Sequence, residues 1–217
     1  THGTLDRWLT IIEGWRSEEI AEEINSQFPI PNSEFIEAAE GKEGFLFPDT
    51  YLIPQGASAD AITRMLKENF DKKIEKLESN LQKTSFALKQ TIILASLVER
   101  EVKHEEDRAI VAGILIKRWQ SDWLLQIDAT VQYAIGREGT WWPEVKKADL
   151  KIDSAYNTYL YSGLPPAPIC NPGLSAIKAV IYPKQTDYWY YISDKQGKMH
   201  FAKTLEEHNQ NIRVFLR

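Results

Sequence analysis

The stretch Thr91–Arg108, TIILASLVEREVKHEEDR, begins almost wholly apolar and ends with five acidic side chains within nine residues. Its apolar stripe through Leu94 and Val98 has the spacing of one helix face, and Glu101 continues that stripe one turn later. A carboxylate on a buried face costs free energy unless it is paired, protonated or lining a cleft. Glu101 is therefore a candidate functional group, the alternative being a stripe that has already reached solvent. Glu99 lies roughly opposite, where its spacing predicts a pair with Lys103.

Amphipathic patterns on both sides predict further helices. We expect a long helix from Ser58 to about Gln82, the central helix from a cap at Thr84 or Ser85 to Lys103, and a third over about Glu106–Trp119. The third helix carries Arg118 on the same side as its apolar residues. Hydroxyl residues before such patterns are typical helix N-caps.

The two ends of the chain indicate shorter elements. Towards the N-terminus we expect a strand over Trp8–Glu13, a helix from a Ser17 cap to about Gln27, another from Ser33 to Gly41, and an extended edge over 43–54. Towards the C-terminus the pattern predicts a hairpin of 188–193 with 198–202, then a helix over Leu205–Phe215 capped by Thr204. After Gln120 the intervening chain is polar, aromatic and rich in Gly and Pro. We therefore predict a single α+β domain of packed helices with small antiparallel β elements.

Composition excludes several classes of function. A net charge of −5 without a Lys/Arg cluster argues against a nucleic-acid partner. One cysteine rules out an internal disulfide and a cysteine-based zinc site, and the four histidines are scattered, so we expect no metal. The sequence has no GxGxxG and no Walker A loop, and no window approaches a membrane span. The opening Thr1–Thr4 is not typical of a natural start, so we expect a piece of a longer protein.

Carboxylates beside apolar or aromatic residues remain as candidates for chemistry. Asp49, Glu101 and Asp128 each have such surroundings, in which a proton can be held near neutral pH. Glycosidic cleavage needs a carboxylic acid to protonate the leaving oxygen, and often a second carboxylate. Amide and phenol groups suited to sugar hydroxyls follow along the chain at Gln126, Tyr156, Asn157 and Tyr159. The composition favours a carbohydrate site, although core bonding and turn building are the alternatives for each of these residues.

Six segments match a known family in the same order: EGFLFPDTY at 43–51, ASLVERE at 95–101, LLQIDATVQYAIG at 124–136, AYNTYLYSGLPPAPICNPG at 155–173, YYIS at 190–193 and HFAKTLEEHN at 200–209. On these segments the chain resembles the bacterial YceG-like (MltG) endolytic murein transglycosylases, a family once labelled aminodeoxychorismate lyase-like. The resemblance covers nearly the whole chain from about Glu13 onward.

The resemblance implies a lytic transglycosylase without a cofactor. Such enzymes cut the β-1,4 bond between N-acetylmuramic acid and N-acetylglucosamine in nascent glycan strands and leave 1,6-anhydromuramyl ends. The family's catalytic glutamate, the second of the ASxVExE motif, corresponds to Glu101, which acts as acid and then as base. The residues that we expect to orient the substrate are Gln126, Asp128, Thr130, Tyr156, Asn157 and Tyr159.

The resemblance also implies a wider setting. Residues 13–217 would form the YceG-like catalytic domain, and residues 1–12 the start of the fragment with at most the tail of a LysM-like subdomain. An N-terminal helix outside this sequence would anchor the protein in the inner membrane by a single pass, with the catalytic domain on the extracytoplasmic side. The expected partners are peptidoglycan glycan strands and, at the membrane, peptidoglycan synthases.

Departures from the family pattern leave alternatives open. The chain has Lys117-Arg118-Trp119 and Asp128-Ala129-Thr130 where relatives commonly carry Asn-Arg-Leu and Asp-Pro-Thr, and Cys170 replaces a small residue. These changes leave Glu101 intact but bear on substrate contacts near Asp128. The alternatives are a non-catalytic peptidoglycan-binding or scaffold module, and a hydrolytic muramidase that uses Glu101 with Asp128 or Asp49 as partner carboxylate. The lyase label implies pyridoxal phosphate, but no lysine has a recognisable Schiff-base context.

Overall fold

Nine helices and two short antiparallel sheets make up the described part of the computed structural model, residues 6–82 and 84–216. In chain order the elements are β1 (Arg7–Thr10), α1 (Ser17–Gln27), α2 (Asn32–Ala38), β2 (Thr50–Ile53), α3 (Ala59–Glu75), α4 (Glu78–Leu81), α5 (Leu88–Glu101), α6 (Glu105–Gln120), α7 (Asp128–Ile135), α8 (Leu174–Ile181), β3 (Tyr190–Ser193), β4 (Met199–Ala202) and α9 (Leu205–Phe215). A single 3₁₀ turn at Asp149–Lys151 interrupts the long loop between α7 and α8. The predicted α+β class is confirmed.

The central helix α5 organises the larger of two apolar clusters. Every residue from Thr91 to Val98 is buried, and α5 packs against both α6 and α8. The smaller cluster joins β1, β2, α1, α2 and the first half of α3. Because α5 is apolar on all sides over these turns, it has to lie in the interior, and its C-terminal end delivers Glu101 to the edge of the core.

Each sheet is an antiparallel pair of strands with a fixed register, and only the second pair is a hairpin, since α1 and α2 lie between β1 and β2. In the first, Trp8 is opposite Leu52 and Leu9 is opposite Tyr51. In the second, Tyr191 is opposite Phe201, and α9 packs against both strands. This hairpin and α9 together form a layer that closes over the C-terminal end of α5.

Several predicted elements are confirmed. The predicted hairpin forms, and α9 begins after Thr204, whose hydroxyl accepts a hydrogen bond from the Glu207 N–H at 3.2 Å. Ser58 caps α3 in the same way through the Ala61 N–H. Among the described residues no helix is long and apolar enough to cross a membrane.

Other element boundaries were wrong. The single helix predicted to Gln82 ends at Glu75, and α4 follows as a separate turn after Leu77. Helix α5 begins at Leu88, since the Gln90 side chain accepts the Ala87 N–H and replaces the expected Thr84 or Ser85 cap. It also ends at Glu101, two residues before Lys103. Arg16, and not Ser17, occupies the N-cap position of α1.

Two helices, α7 and α8, were not predicted at all. Each has only eight residues, too few for a helical period to stand out from the polar and Pro-rich sequence around it. The proposed domain boundary after residue 12 stays a prediction. Thr1–Leu5 lie outside the described residues, while Leu9 packs in the smaller cluster with α1 and α2.

Candidate active site

A cavity of about 680 Å³ lies where the C-terminal end of α5 meets the start of α7, the β3–β4 hairpin and α9. One side of it is polar and carries four of the predicted site residues, Glu101, Gln126, Asp128 and Tyr159. The hairpin, α9 and the residue after it contribute the apolar part of the lining, Ile192, Met199, Leu205, Ile212 and Leu216. A concave site with a few convergent polar groups is typical of a small-molecule or polymer-binding cleft.

Glu101 is the last residue of α5, and its Oε2 accepts a hydrogen bond from the Tyr191 hydroxyl at 3.2 Å. Burial, and after it the charge of Asp128, raise the pKa of Glu101 to about 7, although the hydrogen bonds from the Tyr191 hydroxyl and the Ala129 N–H and the charge of Arg118 act to lower it. A carboxyl group with a pKa near 7 is populated in both protonation states at neutral pH. It can therefore give up a proton and take one back within a single catalytic cycle.

Two helix ends meet at this carboxyl group. The C-terminal end of α5 carries the negative end of a helix dipole, which disfavours ionised Glu101. The first turn of α7 faces it from the other side, and the N–H of Ala129 bonds to the carboxylate. An anion is stabilised at a helix N-terminus, so α7 offsets part of the desolvation of Glu101.

Asp128 begins α7 and is held by a second tyrosine. The Tyr159 hydroxyl donates to Asp128 Oδ1 at 2.5 Å. Burial raises the pKa of Tyr159, and the hydrogen bond and charge of Asp128 raise it further, so the phenol keeps its proton. Asp128 is thus fixed as an exposed carboxylate beside the buried one.

Gln126 enters the cavity from a left-handed backbone conformation, with φ of 54°. That conformation is uncommon for a non-glycine residue and costs free energy. It is held by a hydrogen bond from the Gln126 N–H to the carbonyl of Thr158 at 3.1 Å. The same loop leads directly into Asp128. The backbone conformation of Gln126 thus helps to place the side chains of both Gln126 and Asp128 in the cavity.

Arg118 is a site residue that the sequence reasoning missed. It is 7% exposed and lines the cavity from α6. Its Nη1 donates to the Leu125 carbonyl at 2.7 Å, and its Nε and Nη2 donate to the Trp189 carbonyl at 2.8 and 2.6 Å. The signal was available, because Arg118 is a charged residue on the apolar stripe of its helix, the same criterion that selected Glu101.

Three of the predicted substrate residues do not line the cavity. Thr130 is fully buried and donates to the Ile127 carbonyl at 2.7 Å. Asn157 is also fully buried and donates to the carbonyls of Leu150 and Ile152. Tyr156 packs against the Tyr133 ring, with centroids 4.7 Å apart. These side chains shape the segments that carry Asp128 and Tyr159, and direct contact with substrate stays a prediction for all three.

The other acidic candidates are placed elsewhere. The predicted Glu99–Lys103 pair was wrong: α5 ends before Lys103, and Glu99 instead binds Arg108 at 2.7 Å with 5% of its side chain exposed. Glu99 also accepts the Gly173 N–H at 2.9 Å, so it links α5 to α6 and to the residue before α8. Asp49 pairs with Lys73 at 3.2 Å and does not line this cavity. Among the described residues no group of three or more His, Cys, Asp or Glu could hold a metal ion.

Comparison with known proteins gives a consistent set of relatives. The model of the YceG-like family matches residues 1–214. An endolytic murein transglycosylase of Bacillus subtilis is 38% identical over 170 residues, which is 77% of this chain and 46% of that protein. One of Streptococcus pneumoniae is 32% identical over 173 residues, 78% of this chain and 31% of that protein. The chain therefore spans less than half the length of these relatives.

A solved structure extends the comparison to the fold. The crystal structure of a YceG-like protein from Listeria monocytogenes superposes with a TM-score of 0.88 at 31% sequence identity. The match covers 94% of this chain and 75% of that one. The fold of this chain, with its helices and two small antiparallel sheets, is thus one seen by experiment.

Proposed function

Because the chain belongs to the YceG-like family, we propose that it is the catalytic domain of an endolytic murein transglycosylase. The observation that carries the proposal is the placement of Glu101, a buried carboxyl group with a pKa of about 7 that lines a cavity of about 680 Å³. The names of the relatives support the substrate class, and the surroundings of Glu101 support its role as the group that transfers the proton.

In the proposed reaction, protonated Glu101 gives its proton to the oxygen that links N-acetylmuramic acid to N-acetylglucosamine. The bond from C1 to that oxygen breaks with its electron pair on the oxygen. Ionised Glu101 then takes the proton of the muramyl 6-hydroxyl, whose oxygen closes onto C1 as a 1,6-anhydro ring. The proton count is restored and no water is consumed, so a nucleophilic second carboxylate is not required.

The remaining cavity residues have two proposed roles, to stabilise charge and to bind the sugar. Ionised Asp128 favours the protonated form of Glu101 before the reaction and stabilises positive charge that develops at C1. The amide of Gln126 and the hydroxyl of Tyr159 are suited to sugar hydroxyl and acetamido groups. The apolar side offers Ile212 and Leu216 to the methyl groups of the acetamido and lactyl substituents.

The wider setting follows from the proposed substrate. Peptidoglycan lies outside the cytoplasmic membrane, so we place this domain on the extracytoplasmic side. Anchoring by an N-terminal helix outside this sequence and contact with peptidoglycan synthases belong to the same proposal. Both would hold the cavity close to newly made strands.

The decisive experiment digests purified peptidoglycan with wild-type protein and with the Glu101→Gln variant, followed by mass spectrometry of the products. We expect anhydromuramyl ends from the wild type and a loss of at least about a hundredfold in the variant, since the general acid is removed. Glu106→Gln is the matched control, because it neutralises an exposed glutamate in the first turn of α6 and should leave activity unchanged.

The same products test the alternatives. The observation that favours a hydrolytic muramidase is Asp128 beside Glu101, and such an enzyme would give reducing muramyl ends. A binding module would retain peptidoglycan without cleaving it, and its binding would survive Glu101→Gln. Either result would contradict the transglycosylase proposal.

A further inference from the structure

The hydrogen bond between Tyr191 and Glu101 joins the β3–β4 hairpin to the end of α5. The hydroxyl oxygen lies 3.2 Å from Glu101 Oε2, and the Tyr191 ring packs against the larger apolar cluster. Burial raises the pKa of Tyr191 well above its usual value, and the charge of Glu101 raises it further. The phenol therefore keeps its proton and can donate to the ionised carboxylate.

A phenol hydroxyl is both a donor and an acceptor, so it can serve both protonation states of Glu101. It donates when Glu101 is ionised, and it can accept when Glu101 carries the proton. A lysine or arginine in the same place could stabilise only the ionised form. Tyr191 thus suits a carboxyl group that has to change state twice in each cycle.

Arg118 fixes the position of Tyr191 relative to the rest of the cavity. Two of its nitrogens bind the Trp189 carbonyl, just before β3, and the third binds the Leu125 carbonyl, just before Gln126. The buried guanidinium of Arg118 therefore holds the hairpin and the 125–128 loop in a fixed position relative to each other. Tyr191 donates to Glu101 from the hairpin, and Asp128 lines the same cavity from the 125–128 loop.

We infer that Tyr191 is a positioning residue that orients the Glu101 carboxyl group throughout the reaction and balances its two protonation states. Tyr191 belongs to the segment YYIS at 190–193, but the sequence alone predicted no role for it. Its role rests on the proposed function only where turnover is concerned. The charged and titratable groups that line the cavity with Glu101 are Asp128 on α7, Tyr159 on the following loop, Arg118 on α6, Arg100 on α5, Tyr190 and Tyr191 on β3, and His208 on α9.

The first test needs no substrate. The carboxyl group of Glu101 is titrated by ¹³C NMR in protein labelled at glutamate, with the resonance assigned through Glu101→Gln. In Tyr191→Phe the pKa of Glu101 should rise by about half to one pH unit, because a donor to the ionised form is lost. Incorporation of 3-fluorotyrosine at position 191 should lower it, because the more acidic phenol is a stronger donor.

Tyr188→Phe is the matched control on the same hairpin. Its ring stacks on Phe201, with centroids 5.3 Å apart, and it does not line the cavity. Glu101 should titrate as in the wild type in this variant. An unchanged Glu101 titration in Tyr191→Phe, or an equal shift in Tyr188→Phe, would overturn the inference.

The second test uses turnover of peptidoglycan. In Tyr191→Phe we expect kcat to fall about tenfold with KM within about twofold, and the alkaline limb of the pH profile to move to higher pH. A change confined to KM would instead make Tyr191 a substrate contact and overturn the inference. If the wild type cleaves nothing, the proposed function fails while the NMR titration still decides the role of Tyr191.

Discussion

At the scale of single residues, the cavity contains two carboxyl groups, Glu101 and Asp128, that differ in their exposure to solvent. Glu101 is desolvated and lies at the C-terminal end of a helix, whereas Asp128 is exposed at the start of another. Different environments separate the roles of paired carboxyl groups in many enzymes. Here the buried one is suited to proton transfer and the exposed one to holding negative charge.

Replacing Asp128 tests this division through pH dependence. In Asp128→Asn the negative charge that raises the pKa of Glu101 is lost, so that pKa should fall below about 7. The protonated form is then lost at lower pH, and the alkaline limb of kcat/KM should move down by about half to one pH unit. The measurement is the pH profile of peptidoglycan cleavage.

Asp153→Asn provides the control for that profile. Asp153 accepts a hydrogen bond from the Tyr161 hydroxyl at 2.6 Å, so the change alters another Asp–Tyr pair outside the cavity. Its profile should match that of the wild type. An alkaline limb that stays in place in Asp128→Asn would show that Asp128 does not govern the protonation of Glu101.

Periodicity identified Glu101 because one charged residue interrupted an apolar face, and this kind of inference depends only on local sequence. It could not identify Tyr191, whose partner is ninety positions away. Nor could it separate Tyr159, which faces the cavity, from Asn157, which bonds to nearby carbonyls in the interior. Amide and phenol groups have the same appearance in sequence whether they meet a ligand or the backbone.

At the scale of elements, the two N-capped helices α3 and α9 differ in what holds them in place. In both, the cap oxygen accepts an N–H at 3.2 Å. Helix α3 buries Ile62, Leu66 and Phe70. By contrast, none of the eleven residues of α9, all of them described, is buried. Stability of α9 therefore depends more on its cap, and its side chains form one wall of the cavity.

Thr204→Ala should loosen α9 locally. Loss of the cap costs about 1 kcal/mol, which the sparse packing of this helix does not offset. We expect faster hydrogen exchange over 205–215 and a KM raised about two- to fivefold, because the apolar wall is less ordered. The measurements are hydrogen–deuterium exchange by mass spectrometry and peptidoglycan kinetics.

Ser58→Ala removes the equivalent cap from α3. Because α3 is anchored in the core, we expect a small loss of global stability without selective exchange in its own amides. Equal local exchange in the two capped helices after mutation would refute the view that packing distinguishes them.

The same contrast explains which elements could be predicted from sequence. Helix α9 has a hydroxyl cap and a regular amphipathic pattern, and its bounds were predicted correctly. Helices α7 and α8 are short and surrounded by loop, and their helical state depends on packing, of α8 against α5 and α6 and of α7 against α5. That packing brings together residues far apart in sequence, so no local pattern contains it.

At the scale of the whole molecule, Asn171 joins the two apolar clusters. It is fully buried, and its Oδ1 accepts the N–H groups of Gly44 and Leu46, each at 2.9 Å. Its Nδ2 donates to the Trp15 carbonyl at 3.1 Å and to Glu43 Oε1 at 2.8 Å. One side chain thus satisfies four groups on segments of the smaller cluster, while its own segment belongs with the larger one.

Removing that side chain should weaken the coupling between the clusters as well as the total stability. In Asn171→Ala two buried N–H groups lose their acceptor, and each costs about 1–3 kcal/mol, so we expect the free energy of unfolding to fall by about 2–6 kcal/mol. We also expect a smaller denaturant m-value, because loosening of the smaller cluster exposes surface before the main transition. Asn157→Ala, a buried asparagine within the larger cluster's loops, should lower stability with an unchanged m-value. Urea unfolding followed by circular dichroism and tryptophan fluorescence measures both, and equal m-values in the two variants would show that the clusters unfold as one unit without Asn171.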